Sequence, residues 1–391
     1  MAAQDVAAHQ LARIHNATIG IVAEEGYEAL KVRDVVRYAE VSTRAFYELF
    51  HSKEDCYLQT YDLIARRASR RIIAAQADEP NWRKRPQLAL EEFVRGLEHR
   101  SQDARLALVE AYAAGTVSLE RAWQAEWIFC EMLADSFARD PSGVAVSPLV
   151  VEGIVGGVIQ VARNRILNGK TAQLKSESEE LVSWALSLAD PLSSLLMELD
   201  RQPLWRNTAL EPSPSASNGW APGVSGDRAL ILKAVAEMAA VKGYTQLTAP
   251  RIRSAARVSR SKFDAYFDDA EDCYLSAVEQ HAGEALAQAA RAQSTARSQT
   301  GGAYRAIVAL CEHVANDPFL TRVCFYNDFP PGAQGARSRR RLVMALMELL
   351  GESVPAISPT ASEASAGALW SLFHHHIIRD WAKRREVSAT L

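Results

Sequence analysis

Cysteine is scarce in this chain of 391 residues, at Cys56, Cys130, Cys273, Cys311 and Cys324. The count is odd and no Cys-x-x-Cys occurs, so neither a disulfide framework nor a thiolate zinc site is indicated. A reducing, cytoplasmic location is the expectation. Long apolar runs are missing too. The most apolar stretch, from Val144 to Ala162, is broken by Ser147, Pro148, Glu152 and several glycines. It reads as a buried helix, and no membrane association is expected. The opening residues MAAQDVAAHQLAR lack a basic segment followed by an apolar run, so they do not read as a signal peptide. Excess positive charge is absent as well: 44 Lys and Arg against 47 Asp and Glu give a net charge of −3. That excludes a generally polybasic nucleic-acid binder but leaves a local basic face open. Finally, G-x-S-x-G, H-E-x-x-H, Walker A and G-x-G-x-x-G signatures are lacking. Neither an enzyme nor a cofactor is expected. What is present, 48% hydrophobic and 23% charged residues, is the balance of globular protein. The length points to more than one domain.

The chain repeats itself at an offset of 217. Gly26-Tyr27 falls on Gly243-Tyr244, and the match runs without a gap from about Ala12 to Asp62. Identical pairs include Ile14/Ile231, Leu30/Leu247, Ala39/Ala256, Val41/Val258, Ser42/Ser259, Phe46/Phe263 and Phe50/Phe267. The block Glu54-Asp55-Cys56-Tyr57-Leu58 recurs as Glu271-Asp272-Cys273-Tyr274-Leu275. Two copies of one architecture are the reading. Between them, residues 201–226 are rich in Pro, Ser and Gly and read as a linker.

Apolar residues recur at spacings of three and four, without sustained Val/Ile/Thr alternation, so the fold class expected is all-α. In the first copy helices are expected near 6–25, 32–38, 43–50, 53–77, 86–99, 103–114, 117–139, 147–168 and 174–199. In the second they are expected near 227–242, 249–255, 260–267, 270–295, 302–315, 333–350 and 362–386.

The segment VSTRAFYELF, from Val41 to Phe50, carries the first functional signal. Ser42 suits an N-cap, and Val41 faces Phe46 as a hydrophobic staple. Phe46, Leu49 and Phe50 form a buried stripe, which leaves Thr43, Arg44, Tyr47 and Glu48 facing outward. A short helix over 32–38 precedes it across a tight turn. Two short helices so joined make a helix-turn-helix, whose second helix enters the major groove of DNA. The next helix opens at His51-Ser52-Lys53 with Ser52 as its N-cap. Its free amides, with Lys53, His51 and the Tyr47 hydroxyl, suit a phosphate.

The run VSTRAFYELFHSKEDCY resembles the signature of TetR-type (tetracycline-repressor-like) transcriptional regulators. The resemblance covers about residues 10–200, and again about 229–280 with less of the chain after that. It implies tandem copies of a three-helix DNA-binding head followed by a helical ligand-binding and dimerisation domain. The boundaries expected are 1–75 and 76–200 for the first copy, 201–226 for the linker, and 227–290 and 291–391 for a shortened second copy. By resemblance, Thr43 and Arg44 would be base-edge readers or their close neighbours, Tyr47, His51 and Lys53 would hold phosphates, and Ser42 and Arg33 would belong to the same DNA-binding set. Lys31 stands where the family commonly has a capping Thr, and Glu40 where a turn glycine is usual.

The second copy departs further. It has Asp264 for Tyr47, Asp268 for His51, Asp269 for Ser52 and Ala270 for Lys53, while Phe263, Tyr266 and Phe267 keep the stripe. Arg260 and Lys262 would be its DNA-facing side chains, and whether it binds DNA is left even. Each turn region, 31–53 and 248–270, carries five basic against three acidic residues.

The resemblance also implies an effector pocket in residues 76–200, for a small apolar molecule. The candidates for its lining are Phe93, Glu110, Tyr112, Trp127, Gln160 and Asn164. No metal site is expected: His374-His375-His376 are consecutive and point about 100° apart on a helix. Arg337 and Arg339-Arg340-Arg341 read as a solvated face or a phosphate contact. The partners expected are a double-stranded DNA operator and the effector. The two copies would pack as an intramolecular pseudo-dimer, or the chain would homodimerise through the first copy. A helical interaction module that has lost DNA binding is the competing class.

Overall fold

The computed structural model describes residues 3–112, 114, 116–141, 146–189, 226–295, 299–317, 319–320, 323, 333–351 and 358–372. Among these residues every regular element is helical. The chain divides into two units, Met1–Met197 and Glu198–Leu391.

The first unit runs α1 (Ala3–Glu25), α2 (Val32–Tyr38), α3 (Thr43–Leu49), α4 (Lys53–Gln76), α5 (Lys84–His99), α6 (Ser101–Leu108), α7 (Thr116–Ala138), α8 (Pro148–Leu167) and α9 (Gln173–Ala189). The second runs α10 (Asp227–Lys242), α11 (Ala249–Ala256), α12 (Arg260–Asp264), α13 (Ala270–Ser294), α14 (Gln299–Asn316) and α15 (Ala333–Gly351), and residues 359–372 are helical as well.

In the first unit, α1 presents Leu11, Ile14, Thr18, Ile21 and Val22 at spacings of three and four. Ile14 and Val22 are fully buried, together with Phe46 and Phe50 of the α3 segment and Tyr57 of α4. Burying a phenylalanine contributes roughly 1.5–3 kcal/mol, so this cluster, with buried Val35 of α2, holds the two short helices α2 and α3 against α1 and α4. Gly26, at φ 85 and ψ 165, turns the chain from α1 toward α2 in a conformation that L side chains rarely adopt. A Schellman motif closes α2. Glu40 sits in the left-handed region at φ 50, the Val41 amide donates to the Val36 carbonyl at 3.1 Å, and the Glu40 amide donates to Arg37 at 3.3 Å.

The second unit repeats these backbone features 217 residues on. Gly243 has φ 78 and ψ 169, and Arg257, like Glu40, is left-handed at φ 56. The Val258 amide donates to Arg253 at 3.1 Å and the Arg257 amide to Ser254 at 3.3 Å, which is the same motif. Ile231, Phe263, Phe267, Cys273 and Tyr274 are buried as their counterparts are.

Two helix expectations shift. The helix expected over 103–114 breaks after Leu108, and a 3-10 turn spans Glu110–Tyr112. That turn brings the Glu110 carboxylate to the Tyr27 amide at 3.1 Å. The helix expected over 260–267 ends at Asp264. Tyr266 therefore lies in the turn beyond it, 48% exposed, and only Phe263 and Phe267 keep the stripe. The expected helical residues 190–199 and 373–386, with His374-His375-His376, lie outside the described residues.

Candidate nucleic-acid interface

The local sequence aims α3. The Ser42 hydroxyl accepts from the Ala45 amide at 3.0 Å, fixing the start of the helix. Phe46 is then fully buried, and the opposite face is left to Thr43, Arg44 and Tyr47, all exposed. Tyr47 is 54% exposed, a large fraction for an aromatic ring, and packs edge-on against Phe46 with centroids 5.4 Å apart. Arg44 Nε donates to Glu48 Oε1 at 2.8 Å. The pair is exposed on both sides, so it positions the guanidinium without holding it firmly.

The start of α4 adds an anion-compatible end. Ser52 accepts from the Asp55 amide at 3.1 Å, and Asp55 accepts in return from the His51 amide at 2.9 Å. This reciprocal box satisfies two amides and leaves the rest of the first turn open. Burial works against the Asp55 carboxylate, but hydrogen bonds from Gln59 and from the His51 amide hold it below its ordinary pKa. Lys53 Nζ lies 5.0 Å from the centre of the Tyr27 ring, a cation–π contact that places its charge at this end. Burial, and then Glu54 and Glu28, push the Tyr27 phenol up to about 12, so the ring stays neutral. Arg33, on α2, is exposed and lies 3.5 Å from Asp34.

Sequence reasoning passed over Arg37 and Tyr38 at the end of α2. Tyr38 is 61% exposed and the Arg37 guanidinium stacks 5.0 Å from its centroid. Their signal was a basic residue beside an aromatic one in the last turn of a short helix.

The counterpart surface of the second unit is more self-occupied. Lys262 Nζ lies 2.8 Å from Asp227, and Arg260 Nε lies 3.2 Å from Asp264. The hydrogen bond that Lys262 donates to the Asp227 carboxylate raises the Lys262 pKa. Asp269 replaces Ser52 as the N-cap and accepts from the Asp272 amide at 2.8 Å, while the Asp268 amide donates to Asp272 at 3.1 Å. The capping chemistry is kept and the lysine beside it is gone.

The effector candidates lie on α5, the 3-10 turn, α7 and α8. Glu110 is buried, and besides the Tyr27 amide it faces Arg105 at 3.5 Å. Trp127 is 45% exposed and its indole N–H donates to Glu131 at 3.0 Å. Gln160 is buried and bonds Asn164, both on α8, at 3.3 Å. Phe93 is half-buried on α5. Tyr112 stands in the 3-10 turn, and its side chain lies outside the described residues. Among the described residues, no group of three or more His, Cys, Asp or Glu is placed to hold a metal ion, and no helix is long and apolar enough to cross a membrane.

Residues 14–60 match the family of bacterial regulatory proteins, tetR family. The match spans α1 to the first turns of α4, the segment that builds this surface. No curated protein matches the chain. Several solved structures show partial likeness, three of which follow. The fatty acid degradation regulator FadR from Bacillus halodurans is 16% identical, with a TM-score of 0.42, over 45% of this chain and 97% of its own. FadR from Bacillus subtilis, solved in complex with stearoyl-CoA, is 15% identical with the same TM-score and coverage. A TetR family transcription regulator from Marinobacter aquaeolei VT8 is 18% identical, with a TM-score of 0.39, over 47% of this chain and 96% of its own.

Proposed function

We propose that the protein is a sequence-specific DNA-binding transcriptional regulator, a repressor released by a small apolar effector. The observation that carries this reading is the outward face of α3. A helix anchored by buried Phe46 and Phe50 presents Thr43, Arg44 and Tyr47 to solvent, next to a capped helix start that holds Lys53 and His51. The tetR-family match covers the same residues. In this reading Thr43 and Arg44 serve base readout, Tyr47, His51 and Lys53 grip phosphates, and Ser42 and Arg33 complete the DNA-binding set. The effector enters the helical domain of residues 76–200. The repeat, with its matching left-handed residues and glycine turns, supports two tandem copies that pack as an intramolecular pseudo-dimer on unlike half-sites.

The test is the salt dependence of DNA affinity. Lys53→Ala combined with Tyr47→Phe weakens binding to every duplex and flattens the slope of log K against log salt by about one. An unchanged affinity and slope would remove these residues from the interface.

A specific observation favours a second reading, in which the second unit is architectural and the chain homodimerises through the first. Lys262 is engaged by Asp227, and Ala270 stands where the phosphate lysine would be. Light scattering separates the two, since a solution mass of two chains contradicts the monomeric pseudo-dimer.

A further inference from the structure

Between α1 and α4 of the first unit lies a groove of about 330 Å³, apart from the α3 surface. Leu11 and Leu63 give it an apolar wall, and His15, Asp62, Arg66 and Arg67 give it a polar one. Asp62 is already neutralised by Arg121 at 2.7 Å. Arg66 and Arg67 are exposed and have no ion-pair partner among the described residues. The groove is therefore cationic on one side and apolar on the other.

His15 defines what else fits. It is 6% exposed, and its Nδ1 lies 2.7 Å from Thr60 Oγ1. The single Thr60 proton goes to the Cys56 carbonyl at 2.7 Å, so Thr60 accepts from His15 Nδ1–H. Nε2 is then the unprotonated, accepting nitrogen of a neutral ring, and it has no partner among the described residues. Burial, and after it Arg67 and Arg66, lower the His15 pKa to about 4, which keeps the ring neutral near pH 7. A ligand end that only accepts hydrogen bonds would be repelled there, whereas a donor would be satisfied.

The second unit shows that packing does not require this polar seam. At the same offset, Leu232 and Ala277 replace His15 and Thr60, at 1% and 0% exposure. Gly283 and Glu284 replace Arg66 and Arg67. The helix pair closes with apolar residues, so the histidine and the arginines of the first unit are extra to the fold.

We propose that this groove binds a small hydroxylated carboxylic acid with an apolar body. Its carboxylate meets Arg66 and Arg67, its body lies on Leu11 and Leu63, and its hydroxyl donates to His15 Nε2. Two guanidiniums are the recognition set for a carboxylate. The volume stands at the small end of ligand sites, which suits a ring-sized acid. The site lies in the segment that carries the proposed DNA-binding face, but its existence does not depend on DNA binding.

The test uses the full chain, with labelled histidine for NMR and calorimetry for affinity. The probes are 3- and 4-hydroxybenzoate, benzoate and benzyl alcohol. At least one hydroxybenzoate binds saturably, one per chain, and moves the His15 Nε2 resonance. It binds several-fold more tightly than benzoate, and benzyl alcohol binds at least tenfold more weakly. Arg66→Ala with Arg67→Ala costs tenfold or more in affinity, as expected for charge-assisted hydrogen bonds, with an unchanged circular dichroism spectrum because both residues are exposed. Absence of saturable binding by either hydroxybenzoate, or binding undiminished in the double variant, overturns the proposal. Benzoate binding as tightly as the hydroxybenzoates overturns the part given to His15. Loss of DNA affinity in the double variant without binding of any acid would assign the arginines to a nucleic-acid backbone instead.

Discussion

Glu40→Gly should stabilise the first unit, and the amount follows from the geometry of one turn. Glu40 is the left-handed residue of the Schellman motif that closes α2, at φ 50. An L residue in that region costs roughly 1–2 kcal/mol, which glycine does not incur. Glycine also frees the unfolded chain, which gives back about 0.4–1 kcal/mol. The Glu40 carboxylate lies 3.8 Å from Arg13 in an exposed pair worth at most a few tenths of a kcal/mol. The net gain is therefore about 0.5–1 kcal/mol. Glu40→Ala is the control, because it loses the same ion pair and keeps the strain. Arg257→Gly, at φ 56 in the second unit, should gain a similar amount. Denaturant unfolding of the full chain gives the stability differences. Because two units need not unfold together, hydrogen exchange at the amides of α2 and α11 assigns each gain to its unit. The reasoning is refuted if Glu40→Gly is no more stable than Glu40→Ala.

Two further outcomes are expected. Glu110→Ala leaves the buried Tyr27 amide without its acceptor and costs about 2–3 kcal/mol, while Glu110→Gln keeps an oxygen there and costs less; equal losses in denaturant unfolding would contradict the bond's role. His15, lowered from 6.5 to about 4, is protonated first in the unfolded chain, so its contribution is full above pH 6.5 and lost as pH falls toward 4. The loss amounts to about 3 kcal/mol, and a Leu substitution at His15, copying Leu232, should remove that part of the pH dependence.

The short-range features of the head were legible in the sequence because capping and apolar spacing are local. Ser42 and Ser52 fixed the starts of α3 and α4, and Phe46 and Phe50 marked the buried side. The outward set of Thr43, Arg44, Tyr47 and Glu48 followed from the same spacing. Glu40 could be flagged as standing in a glycine position, and its left-handed conformation agrees. What escaped were contacts made across long stretches of chain. The Glu110 carboxylate accepts from the Tyr27 amide, 83 residues away, and nothing near Glu110 in the sequence announces that bond. The break after Leu108 goes with that contact and has no local glycine or proline to announce it. Tyr266 fits the helical stripe by spacing, but α12 ends before reaching it. The His15 seam was equally silent, because a lone histidine on an apolar face carries no sign of the threonine that fixes its tautomer.

The central claim, that α3 of the first unit reads DNA, is tested most directly by selecting bound duplexes from random DNA with the full chain and with Arg44→Ala. The wild-type protein should enrich a defined motif, and Arg44→Ala should relax the preference at one or two positions with most of the affinity retained. No enriched motif at low salt, or an identical motif from Arg44→Ala, would contradict it.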